Sequence, residues 1–173
     1  MQLEIERRFL IKNDQWKEFI THKTMIEQGY LSNSLDDWII RIRFNGKNFK
    51  IALKKHIKNF TNYEYEYSIP TNDGEKIMAT LKDTIKKERF FLEVDQRNWI
   101  VDCFKDENFP LEIAEIELAE EKEEFILPTF LSKEITDLKI FSNFSLTKNP
   151  FSKWGSKDLK TLTKNLPKSS LSL

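Results

Sequence analysis

Leu3-Glu4-Ile5-Glu6-Arg7-Arg8-Phe9-Leu10-Ile11 is the stretch on which the fold turns. As a β-strand it sends Glu4, Glu6 and Arg8 to one face and Ile5, Arg7 and Phe9 to the other, because successive side chains alternate. Two carboxylates about 7 Å apart along a strand can converge on one divalent cation. A guanidinium beside them can hold an anion that the cation also binds. The solvated face of an ordinary half-buried strand shows the same pattern, so the rest of the chain has to arbitrate.

The 173 residues are enough for one domain with a real core. Lysines and arginines number 28, as do aspartates and glutamates, so no global field draws the chain to nucleic acid or to an anionic membrane. A polyanion would have to be held by a local cluster. No apolar run approaches the length of a membrane span, and Glu4 interrupts any leader at the N-terminus, so a cytoplasmic protein is expected. The single cysteine, Cys103, excludes an internal disulfide and a thiolate metal cluster. With only 4 glycines, and neither a P-loop nor a dinucleotide fingerprint, any phosphate must be gripped by side chains.

Working outward, Asn13 and Asp14 cap a short helix with apolar positions at Trp16, Phe19 and Ile20. A strand follows over 26–31 and a turn over 33–37. The runs 38–44 and 49–54 flank Asn45-Gly46, the strongest local hairpin signal in the chain. Arg41 and Arg43 share one face there, with Lys54 on the partner strand. A strand over 62–70 sets Glu64, Glu66 and Ser68 against Tyr63, Tyr65, Tyr67 and Ile69. A helix over 72–85, capped at Asn72 or Asp73, has a core stripe of Ile77, Met78, Leu81 and Ile85. Three more strands carry Lys87 and Arg89, then Asp102, then Glu115 and Glu117. From Pro128 the pattern weakens into loops and short helices, and the end from about Lys164 is expected to fray.

These elements predict an antiparallel sheet able to close into a barrel. The acids Glu4, Glu6, Glu64, Glu66, Asp102, Glu115 and Glu117 and the bases Arg8, Arg41, Arg43, Lys54, Lys87 and Arg89 fall on one parity; the other is aliphatic and aromatic. Either this is a wet outer face, or it is the charged lumen of a barrel whose outside is apolar and covered by helices. Pattern alone leaves both open. His22 and His56 have no partners at ligand spacing, and Cys103 takes the apolar parity. The basic residues after 152 form no nucleic-acid motif.

The opening EIERRFLI is similar to that of the CYTH superfamily, the triphosphate tunnel metalloenzymes, whose hallmark is Glu-x-Glu-x-Lys. Further matches run in the family's order: IEQGYL at 26–31, IRIR at 40–43, LK at 53–54, EYEYSIP at 64–70, IKKERF at 85–90, W-x-x-D at 99–102, AEIEL at 114–118, P-x-F-L-x-x-E-I-T at 128–136, and FSN followed by NPF at 141–151. The resemblance implies one α+β domain over 1–173, an eight-stranded antiparallel closed barrel with a charged lumen and peripheral helices. It implies Mg²⁺ or Mn²⁺ held by Glu4, Glu6 and Glu117, with Glu115, Asp102, Glu64 and Glu66 as further acids for a second metal, Glu115 and Asp102 foremost, or for orienting water and bases. Arg41, Arg43, Lys54, Lys87 and Arg89 become the clamps of a triphosphate-containing small molecule, with Arg8 and Lys87 in catalytic roles. Superfamily members are often dimeric.

Three departures stand out. Arg8 replaces the hallmark lysine, keeping charge but not the compact ammonium. Asn62 stands where an arginine is frequent, and Ile100 and Ala52 where a glutamate and a threonine are. The expected activity is hydrolysis of inorganic triphosphate. The alternatives are thiamine triphosphate hydrolysis, class IV-type ATP cyclisation, and a non-catalytic polyphosphate or nucleotide binder.

Overall fold

A computed structural model describes residues 3–32, 38–155 and 158; the turn over 33–37 and the tail from about 164 lie outside these residues. Nine strands form one antiparallel sheet: β1 (Leu3–Ile11), β2 (Ile20–Tyr30), β3 (Ile39–Phe44), β4 (Phe49–Lys58), β5 (Thr61–Ile69), β6 (Thr84–Val94), β7 (Arg97–Phe104), β8 (Glu112–Glu117) and β9 (Leu131–Glu134). The order β5-β4-β3-β2-β6-β7-β8-β1 is closed by pairing of β1 with β5, so the first eight strands make a barrel. The edge of β1 is shared: β5 takes Leu3 to Ile5, and β9 takes Phe9 and Ile11.

Local sequence explains most elements. Asn13 accepts a hydrogen bond from the Gln15 amide (3.0 Å) and starts a 3-10 helix over Asp14–Phe19. In the Asn45-Gly46 turn Gly46 takes φ 81°, which suits glycine, and the Asn45 side chain accepts from the Asn48 amide (2.8 Å). Helix α1 (Thr71–Thr80) starts earlier than its sequence suggested: Pro70 precedes it and no side chain caps it. Its Ile77 and Met78 are only half-buried, because contact with the barrel is made through the buried Gly74. A Cβ at that position would lie 2.2 Å from Phe49 Cγ.

Part of one strand and the whole of another escaped the sequence. β2, expected over 26–31, begins at Ile20, and its first half was hidden because Thr21, His22 and Lys23 are exposed and show no alternation. β9 has only 4 residues.

The apolar parity packs outside the barrel. Ile5, Phe9, Leu92, Val94, Trp99, Val101, Ala114 and Ile116 form one core, covered by Trp16 and Phe130. A second core has a different position. Ile85, Phe104 and Ile113 belong to the same parity as the charged residues, being cross-strand or two residues from Lys87 and Asp102. They pack against Ile135, Phe141 and Leu146 of the C-terminal segment. That segment, ending in helix α2 (Asn143–Lys148), therefore plugs one end of the lumen with apolar side chains.

Candidate active site

Register assembles the charged residues. Glu6 lies directly opposite Glu117 and Arg8 opposite Glu115 across β1 and β8, and Glu4 opposite Asn62 on β5. Lys54 faces Glu64, and Arg89 faces Asp102. Like charges directly opposite on a sheet are destabilising, so a Glu6–Glu117 pair is not placed there for stability. The lumen reading of the charged parity is the one realised, with its plugged end apolar.

A cavity of about 250 Å³ is lined by Glu4, Glu6, Glu64, Glu66, Glu115 and Glu117 and by Arg41, Arg43, Lys54 and Arg89, together with Leu3 and Asn143. Six carboxylates thus face four cations. Lys54 is paired with Glu4 and reaches Glu6 at 3.4 Å. Arg41 donates to Glu64 (2.8 Å) and Glu66 (3.1 Å), and Lys50 adds a bond to Glu66 (2.6 Å). Arg89 is bidentate on Asp102 (2.7 Å twice) and reaches Glu115 at 3.0 Å.

Arg43 is the exception among these cations. It donates to the neutral Gln28 side chain at 3.0 Å, and among the described residues it makes no ion pair. Burial, then the neighbouring Arg41 and Arg89, draw its guanidinium down to about 10, still charged at neutral pH.

Three predicted residues do not reach this cavity. Lys87 and Asp102 are both fully buried and pair behind the wall, with Asn143 accepting a second bond from Lys87 at 3.1 Å. Burial draws the Lys87 ammonium down to about 8 despite Asp102. Asp102 also resists ionisation through burial, but Arg89 and Lys87 outweigh this and hold it well below the carboxylate range. Its oxygens are committed to two cations, Lys87 and Arg89. Arg8 lines a second cavity, described below, and points its guanidinium at the carbonyls of Thr136 and Phe141.

Do the residues suit a divalent cation? Among the described residues no three carboxylate, imidazole or thiol groups converge as they stand, since Glu4 and Glu6 are drawn onto Lys54. The donor set nevertheless fits a hard cation, being all carboxylate oxygen. Glu4 also shows an excess of negative charge: burial, and then Glu6, push its pKa well above the usual range. Glu6 would rise with burial too, but Lys54, Arg8 and Arg89 bring it to about 2. Glu115 is raised, by burial and by Asp102.

Sequence reasoning missed Gln28 and Asn143. Gln28 is fully buried and shares the inward parity of β2, which the mixed composition of that strand concealed. Asn143 comes from the plug, which has no strand periodicity. Tyr30, in the IEQGYL stretch, receives a hydrogen bond from Gln28 (2.6 Å) and meets Phe144 edge-on at 5.3 Å. Asn62, at the position of a frequent arginine, donates to Glu4 at 3.4 Å. His22 and His56 are exposed.

No protein-family model matches the chain. An inorganic triphosphatase of Acetivibrio thermocellus is 34% identical over 154 residues, covering 87% of this chain and 97% of that protein. Another, from Nitrosomonas europaea, is 29% identical over 147 residues, covering 83% and 95%. A crystal structure of an inorganic triphosphatase superposes with a TM-score of 0.63 at 27% identity, over 85% of this chain and 95% of that one. With this likeness across nearly its whole length and an eight-stranded barrel around a charged lumen, the chain belongs to the inorganic triphosphatase family of the CYTH superfamily.

Proposed function

We propose that the lumen hydrolyses the terminal phosphoanhydride of inorganic triphosphate with the help of Mg²⁺ or Mn²⁺. The observation that carries this reading is the pairing, in one cavity, of an arginine without an acid partner with a strip of surplus carboxylates. Arg43, half-buried and without an ion pair among the described residues, calls for an anion, because a charge withdrawn from water is stable only when paired. The strip Glu4, Glu6 and Glu117 calls for a cation. A triphosphate carries roughly four to five negative charges, and a lining of six carboxylates against four cations would repel it. Metal and anion must therefore enter together.

Glu4, Glu6 and Glu117 would hold the metal, with Glu64 and Glu66 as supporting acids. Bound there, a divalent cation neutralises charge developing on the terminal phosphoryl group. Lys54, which pairs with Glu4 and Glu6, would join Arg41, Arg43 and Arg89 on the phosphates were those two carboxylates engaged by a cation. Glu115, whose pKa is raised, orients the attacking water and takes its proton. The water oxygen attacks the terminal phosphorus in line, the bond to the bridging oxygen breaks, and diphosphate leaves. Lys87 and Asp102 set the position of Arg89 from behind.

A second reading rests on a second cavity of about 470 Å³, which shares Glu6, Arg41, Lys54 and Asn143 with the first. Its remaining wall includes Ile39, Ala52, Phe60 and Phe144. Apolar walls suit an organic group, so an organic triphosphate is the alternative substrate. Phosphate release from tripolyphosphate, ATP and thiamine triphosphate, each with and without Mg²⁺ or Mn²⁺, separates these readings. Metal-dependent release from tripolyphosphate above the other two is expected; negligible release in every assay leaves a binding module.

A further inference from the structure

We propose that Arg8 is a positioning residue that latches the C-terminal plug and, through Asn143, fixes the floor of the phosphate cavity and the Lys87 ammonium. The proposal rests on the triphosphatase reading for its kinetic consequences only.

Arg8 makes four hydrogen bonds to the plug segment. Its backbone amide donates to Thr136 Oγ1 (3.1 Å), and its carbonyl accepts from the Ile135 amide (2.8 Å). One Nη donates to the Thr136 carbonyl (3.1 Å) and the other to the Phe141 carbonyl (3.2 Å). Thr136 and Phe141 bracket a tight turn, itself closed by bonds from Leu138 to Ile135 (3.0 Å) and from Phe141 to Leu138 (3.0 Å). The guanidinium fork therefore grips both ends of one turn.

Arg8 had acids within its neighbourhood. Glu115 is its cross-strand partner, and Glu6 shares its face closely enough to be lowered by its charge. Among the described residues it nevertheless makes no ion pair; its Nη donors go to carbonyls. A side chain serving as a phosphate clamp would leave its donors free for the anion, yet Arg8, which lines the cavity of about 470 Å³ rather than that of about 250 Å³, turns its Nη donors to the Thr136 and Phe141 carbonyls. A lysine has a shorter reach and a single nitrogen, and would have to bring both carbonyls to one atom.

The latch is two residues from the site. Ser142 follows Phe141 and caps α2, accepting from the Ser145 amide at 3.1 Å. Asn143 then lines both cavities and accepts from Lys87 at 3.1 Å. Phe144 packs on Tyr30, and Leu146 is fully buried in the plug core. Loosening the turn at Thr136 and Phe141 thus moves the group that holds Lys87 in register with Asp102 and Arg89.

The test is Arg8→Lys and Arg8→Met, each alone and combined with Asn143→Ala. Amide exchange of Leu138, Phe141 and Leu146 is expected to quicken about tenfold or more in either Arg8 variant, while β6 and β7 stay protected and report an intact barrel. For tripolyphosphate, kcat is expected to fall about 10- to 100-fold with KM nearly unchanged. The double variant should be no worse than the poorer single variant, because both act through one route. Unchanged exchange at the plug overturns the latch even if the wild type hydrolyses nothing. Multiplying losses with a raised KM overturn it in favour of direct contact with substrate.

Discussion

Arg89 and Arg43 line the same cavity from neighbouring parts of the barrel, yet their situations are opposite. Arg89 has its charge answered by Asp102 and Glu115, and although burial opposes ionisation, these acids raise its pKa. Arg43 donates to the Gln28 oxygen, makes no ion pair among the described residues, and is drawn down by burial and by other arginines. A cation whose donors are filled by the protein is part of the wall. One whose donors are not is part of a binding site that is complete only with its anion. Lys87 and Asp102 extend the first kind of region, and Glu4, Glu6 and Glu117 extend the second with opposite sign.

Asp102→Ala attacks the saturated region and should have the largest effect. It strands Lys87 and Arg89 without their acid, and removing one member of a buried ion network costs about 3–5 kcal/mol. Denaturant unfolding measures this, and a loss below about 1 kcal/mol would show that the network is not structural. Glu6→Gln attacks the unsaturated region. Loss of one electrostatic contact to the reacting centre costs roughly 10²–10³ in rate, here read as kcat/KM for tripolyphosphate at saturating Mg²⁺.

Arg43→Gln sharpens the contrast further. A charged hydrogen bond to phosphate is worth about 1.5–3 kcal/mol, which appears as a higher KM. Melting temperature in the absence of ligand should hold or rise, since a buried uncompensated charge has been removed. A fall like that of Asp102→Ala would erase the distinction between the two arginines. The smallest effect is in acid. The Glu6 pKa is depressed from 4.5 to about 2, so its stabilisation is present above pH 4.5 and is lost as pH falls towards 2. Thermal melts across that window should slope less steeply in Glu6→Gln than in the wild type.

Much of the fold was readable because barrel strands obey a period of two. Glu4, Glu6, Arg41, Arg43, Glu64, Glu66, Glu115 and Glu117 were assigned a common face by alternation, and the observed register brings all eight to one cavity. The Asn45-Gly46 hairpin was legible in the same local terms. Alternation could not say how far a side chain's partners had already used it up. Asp102 and Lys87 share the parity of the others and lie behind the wall, because depth along the lumen depends on strand stagger rather than face.

The plug was the least visible part. Its residues carry neither a helical nor a strand period, and Phe141 and Leu146 read only as apolar positions in a loop-rich tail. They became a core when the barrel end supplied Ile85, Phe104 and Ile113 as a surface to cover. The surroundings of Arg8 were hidden for a related reason: nothing local in the first strand points to the carbonyls, more than 120 residues away, that its guanidinium reaches.

By itself the sequence determined the alternation of charge and apolarity, the strands that carry it and the first strand's pair of carboxylates, since these are local consequences of side-chain chemistry and backbone period. Only the tertiary structure decided that the charged face turns inward, that Glu117 meets Glu6, that Arg43 is left without an acid and that Arg8 holds the plug. Each of those depends on which strands close the barrel and in what register, a balance of long-range pairing and burial that no short stretch of chain contains.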